Sequence, residues 1–107
     1  MDPIENEDVA AAEYQSIGEA DLNRSLKFLK NRMKMVYNEE DDYLKDLILS
    51  SHRDIGAKVN CYDMSDLRIF ELVTERAKYV YEDVLEYFDP NFHTNLVSLS
   101  REYGGIY

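Results

Sequence analysis

Few side chains in this chain of 107 residues are of the types that commonly carry out chemistry: one cysteine, Cys61, and two histidines, His52 and His93. A zinc site needs several Cys or His ligands at short, fixed spacings, and the chain has no CxxC, HExxH or His-x-His pattern. Both histidines are therefore expected at the surface or at loop edges. A nucleophilic thiol needs an activating base or cation, and nothing near Cys61 in sequence marks one, so it reads as a plain loop thiol. The run Glu39-Glu40-Asp41-Asp42 gathers four carboxylates but lacks the alternating oxygen ligands and central glycine of a calcium loop. No glycine-rich phosphate loop occurs either. The expectation is a protein that is not an enzyme, with no catalytic residue, no metal and no cofactor.

What the chain does concentrate is charge. Arg24, Lys27, Lys30, Arg32 and Lys34 crowd one short stretch, the acidic run follows at once, and the formal net charge is -10. An acidic balance of this size argues against a nucleic-acid binder, whose affinity rests on basic contacts to phosphate. Two opposite poles on one molecule suit contact between copies of itself. Nine tyrosines point the same way, because Tyr joins a large contact area to a polar tip.

These side chains must be positioned by helices. A hydrophobic content of 45% with only four Gly and two Pro favours long regular segments in one domain. A lone cysteine cannot form an internal disulfide, so the fold needs no oxidising compartment. No apolar run approaches the roughly 20 residues that span a bilayer, and the acidic N-terminus differs from a secretory signal, so no membrane contact is expected.

Residues 1–18 carry Asp2, Glu5, Glu7, Asp8 and Glu13 without one Lys or Arg, and read as a solvated arm with a short helix around Val9 and Tyr14. From Asp21, Leu22, Leu26, Leu29, Met33 and Val36 recur at helical spacing, with the basic residues opposite or flanking. Phe28 and Met35 lie off that stripe. Asn38 is placed to cap a second helix with the acids in its first turn and Leu44, Leu47, Ile48, Ser51 and Ile55 on its buried face. Residues 56–65 read as a loop. Ser65 or Asp66 then caps a helix of about 23 residues, about 35 Å long, carrying Phe70, Val73, Ala77, Val80, Tyr81, Val84 and Phe88. Leu72 and Tyr79 fall on its back. Asp89-Pro90 starts a last helix with Phe92, Leu96, Leu99 and Tyr103 in a stripe, stopped by Gly104-Gly105. The expected fold is all-α: a small bundle of three main helices around a long central helix, plus a short C-terminal helix. Residues 19–103 form the domain, between the acidic arm and a flexible tip at 104–107.

The order of these elements, LKFLKNRMKMVYNEEDDYLKDLILSS followed by a loop, a Val- and Tyr-rich helix and NFHTNLVSLSREY, resembles a known family. It is similar to the small head-tail connector (adaptor) proteins of long-tailed double-stranded DNA phages, over residues 21–103. DDYLKDLI is the clearest part. The acidic arm and the first helix run longer than the family pattern. The resemblance implies a structural protein made in the host cytoplasm and located in the virion. There it would form a closed homo-oligomeric ring of about twelve copies beneath the portal. The ring extends the DNA channel, contacts DNA without reading its sequence, and offers a platform to the next connector, stopper or tail protein. It also implies portal binding through residues 90–107, namely Phe92, Leu96, Leu99, Arg101, Tyr103, Ile106 and Tyr107, and neighbour contacts through residues 56–65.

The residues themselves suggest how such a ring would close. Arg24, Lys27, Phe28, Lys30, Lys34 and Met35 form one candidate side of a subunit interface, and Glu39, Glu40, Asp41 and Asp42 the other, with Lys27, Lys30 and Lys34 approaching a neighbour's acids. An acidic lumen would also let DNA phosphates slide. The alternatives are a small acidic helical regulator that binds a single host protein, as a DNA mimic, and a helical accessory subunit of an enzyme complex.

Overall fold

The structure, a computed structural model, describes residues 13–107. Among them there is no strand, and the chain adopts the expected all-α bundle. Its elements are α1 (Glu19–Met33), α2 (Asp41–Val59), α3 (Leu67–Tyr81), a 3-10 turn (Leu85–Tyr87) and α4 (Phe88–Tyr103).

Helix α1 starts after Gly18, whose carbonyl accepts from the Leu22 N–H at 2.9 Å, with Glu19 and Asp21 in the first turn where the helix dipole favours acids. It stops at Lys34, which takes the left-handed conformation (φ 56°) and closes the end with backbone bonds to the Asn31 and Lys30 carbonyls. The stop falls before the last residue of the expected stripe, so Val36 lies outside the helix and is 92% exposed. Asn38 is not the cap of α2. Its side chain accepts from Lys30, and Glu40 holds the cap position without a side-chain bond.

Helix α2 is the longest, at 19 residues, and buries the whole expected face of Leu44, Leu47, Ile48, Ser51 and Ile55. It continues through Gly56 to Val59 and ends at Asn60 (φ 66°), with the Tyr62 ring packed on Gly56, where any Cβ would collide with it. The loop is therefore shortened to residues 60–66. His52 also turns inward, 1% exposed, with its Nε2 2.9 Å from the Tyr62 carbonyl. Its surface placement is thus corrected: the returning loop supplies the polar partner that lets an imidazole be buried.

Helix α3 pairs most extensively with α2 and buries Ile69, Phe70, Leu72, Val73, Thr74 and Ala77. The expected 23-residue helix is divided. Asp83 adopts φ 61°, the Val84 N–H turns back to the Tyr79 carbonyl, and the chain re-enters the bundle as α4. The apolar spacing runs through the break because Phe88 reaches the same core from the first turn of a different helix. Tyr87, and not Asp89, precedes α4; Pro90 sits in the first turn, where a missing N–H costs little, and the helix kinks at Phe92. Leu96 and Leu99 complete the core. Tyr79, on the back of α3, is covered by Phe88 and Phe92 of α4, at 5.6 and 5.8 Å between ring centroids.

The C-terminal residues fold back instead of forming a loose tip. Gly104 ends α4 at φ 80°, the Ile106 N–H bonds the Lys58 carbonyl at 3.0 Å, and the Tyr107 N–H bonds Ser100 Oγ at 2.8 Å. Gly105 permits this approach, since a Cβ there would strike Lys58 and Ser100. At the other end residues 13–18 are not helical, and Tyr14 packs edge-on against Tyr62 at 5.2 Å beneath the Arg53 guanidinium at 4.1 Å. The remainder of the expected arm and its short helix lies outside the described residues.

Candidate subunit interface

The basic stretch divides into residues that serve the fold and residues that do not. Arg24 turns back onto its own domain, with its guanidinium 4.0 Å from the Phe70 ring centroid and donating to the Met64 carbonyl at 2.9 Å. Lys30 bonds Asp41 at 2.7 Å and Asn38 at 2.6 Å, tying α1 to the start of α2. Arg32 pairs with Glu75 of α3. Two of the residues expected to meet across copies, Lys30 and Asp41, therefore neutralise each other within one copy. Lys27 and Lys34 are exposed and form no ion pair among the described residues.

The acids divide in the same way. Glu40 accepts from the Tyr81 hydroxyl at 2.5 Å, which with Tyr37 pushes the Tyr81 phenol well above its ordinary range. Glu39 and Asp42 face solvent. Between the two sets the turn presents Val36 at 92% exposure and Tyr37 about half exposed, and Tyr43 in the first turn of α2 is also half exposed. The exposure of Val36 was not readable in advance, because its spacing suits a buried stripe.

Phe28 and Met35 are half-buried by their own chain, Phe28 edge-on to Phe70 at 5.2 Å. On the other side of Phe28 a groove of about 400 Å³ opens between α1, α3 and α4. Its floor is Phe28, Leu72, Phe92 and Leu99, and its rim includes Arg32, Glu75, Arg68, Glu71, Asn95 and Ser98. The readable signal was Arg68, Glu71, Leu72 and Glu75 sharing one face of α3 at helical spacing. A shallower depression along α1 is lined by Leu26, Lys27, Lys30 and Met35.

The segment expected to meet a portal is mostly committed to the fold. Leu96 and Leu99 are core residues at 0 and 2% exposure, so that expectation is corrected for them. The Tyr103 hydroxyl donates to Asp66 at 2.5 Å, raising the phenol to about 12. Phe92 and Tyr107 are half-buried, while Arg101 and Ile106 remain outward. Asp66 is a hub: it caps α3 by accepting from the Arg68 N–H, pairs with the Arg68 side chain, and is held well below the usual carboxylate range chiefly by that guanidinium. Arg68 in turn bonds Glu102 of α4.

Among the described residues no group of three or more His, Cys, Asp and Glu side chains is placed to hold a metal ion, and no helix is long and apolar enough to cross a membrane. Cys61 is a free, half-buried thiol in the loop, and His93 is exposed beside the Tyr107 ring. Compared with models of known families, with curated proteins and with solved structures, the chain matches none.

Proposed function

We propose that this chain is a structural head-tail connector of a tailed phage, a ring subunit beneath the portal that extends the DNA channel and receives the next connector, stopper or tail protein. One observation carries the assembly part of the reading: the outer edge of α1 is unfinished. Leu26, Phe28, Met33 and Met35 are only half-buried, the cations Lys27 and Lys34 have no carboxylate partner among the described residues, and Val36 stands in solvent just past the end of the same helix. An edge with apolar area and unpaired charge gains from a neighbour that supplies both. The portal and DNA parts rest on the sequence resemblance. Of the C-terminal residues expected to bind a portal, Arg101 and Ile106 are the fully exposed ones.

A broad acidic face of the kind that mimics DNA is interrupted in this molecule by Lys30, which neutralises Asp41, and by the basic edge beside it. That favours assembly over single-target mimicry. Light scattering of the chain mixed with portal rings tests the proposal. The expected result is a stable complex with many copies per portal and a visible added ring in electron micrographs. Absence of binding to portal, or a one-to-one complex with a host protein, would overturn it.

A further inference from the structure

The turn after α1 has the properties of a knob. Its path is fixed by the left-handed Lys34, by the Met35 N–H on the Lys30 carbonyl at 2.9 Å, and by Lys30 bonded to both Asn38 and Asp41 across its base. A preorganised apolar tip loses little conformational freedom when it docks. The same molecule carries an open hole of matching character, the groove floored by Phe28, Leu72, Phe92 and Leu99. Each side also holds a charge without an ion-pair partner among the described residues, and the two are of opposite sign. Lys34 lies at the base of the knob, and Glu71 on the rim of the hole.

We propose that the Val36–Tyr37 turn of one copy inserts into the α1/α3/α4 groove of the next, with Lys34 meeting the neighbour's Glu71. This rests on the ring reading and gives it a specific contact. A knob and a hole at different places on one molecule define a head-to-tail contact, which propagates from copy to copy and closes when the rotation permits. It also accounts for the two-signed rim. Arg32 and Arg68 are occupied by Glu75, Asp66 and Glu102, so the free carboxylate of Glu71 sets the sign that the groove offers to an incoming cation.

Cysteine cross-linking tests the contact directly in the full chain. With Cys61→Ser as background, Val36→Cys plus Ser98→Cys places one thiol on the knob and one on the groove wall, and a disulfide forms only where the Cα atoms approach to within about 7 Å. The expected result on mild oxidation at high protein concentration is a ladder of dimers, trimers and larger species. Val36→Cys paired with Ser50→Cys on exposed α2 should give none. A second reading uses charge alone: Lys34→Glu and Glu71→Lys should each weaken self-association about fivefold or more, and the double variant should restore it. Equal cross-linking from the two cysteine pairs, a double charge variant no better than its parents, or a wild-type chain that stays monomeric at millimolar concentration would overturn the contact. None of these would touch portal binding, so failure of the contact and failure of the connector reading are separable.

Discussion

Asp66 concentrates more of the fold's polar organisation than any other side chain described. It caps α3, accepts from Arg68, and receives the Tyr103 hydroxyl from the end of α4, thereby joining two helices whose ends are far apart in sequence. Asp66→Ala should lower stability by about 2 kcal/mol, combining a lost cap with a lost interhelical hydrogen bond, measured by urea unfolding. The pH dependence has a definite sign. Asp66 is depressed from 3.8, so its contribution is complete above that pH and is lost as pH falls toward the folded value. Tyr103 is raised from 10.0 to about 12, so its contribution is complete below pH 10.0 and is lost as pH rises through the folded value. A wild-type stability plateau between those limits, absent at both edges in Asp66→Ala, is the expected profile. The cap was legible in sequence, because an Asp ahead of an apolar run is a local signal. The Tyr103 partner was not, since a long-range hydrogen bond leaves no mark in spacing. His52 illustrates the same limit: its burial depends on a carbonyl ten residues away in a loop that folds back.

At the scale of elements, hydrophobic spacing located every helix but misplaced several ends. Periodicity reports which residues face the core and is silent on whether one helix or two deliver them. Val84 and Phe88 continue the phase of α3 although the chain has already turned at Asp83. The C-terminal residues were misread for a related reason. Two glycines are a sound stop signal, yet Gly105 also allows the backbone to reach Lys58 and Ser100, and that second role needs the tertiary structure. The turn at Asp83 gives a prediction of its own. An aspartate at φ 61° bears a steric cost that glycine does not, so Asp83→Gly should stabilise the protein by about 0.5–1 kcal/mol in thermal unfolding. A loss of stability instead would mean that the Asp83 side chain contributes to the turn beyond its backbone shape.

For the whole molecule, the sequence exposed the two opposed poles but not how far they cancel internally. Lys30 and Asp41 meet in one chain because α1 and α2 are antiparallel neighbours across a short turn, which brings residues eleven apart into contact. Their separation in role from Lys27 leads to contrasting expectations. Lys30→Glu removes the ammonium that bonds Asp41 at 2.7 Å and puts a second carboxylate beside it, at a site whose lysine is only 13% exposed, so it should lower the unfolding temperature and disturb the turn that carries Val36. Lys27→Glu changes a solvent-facing cation that has no ion-pair partner among the described residues, and should leave the unfolding temperature within measurement error. Its effect belongs to association: with the edge made acidic against an acidic neighbour, self-association should weaken, and the deficit should shrink as added salt shortens the screening length to a few ångströms. Light scattering of both variants across an ionic-strength series, beside thermal unfolding of each, distinguishes the two roles. If Lys27→Glu destabilises the monomer, or associates like wild type at low salt, the edge of α1 is not an electrostatic contact between copies.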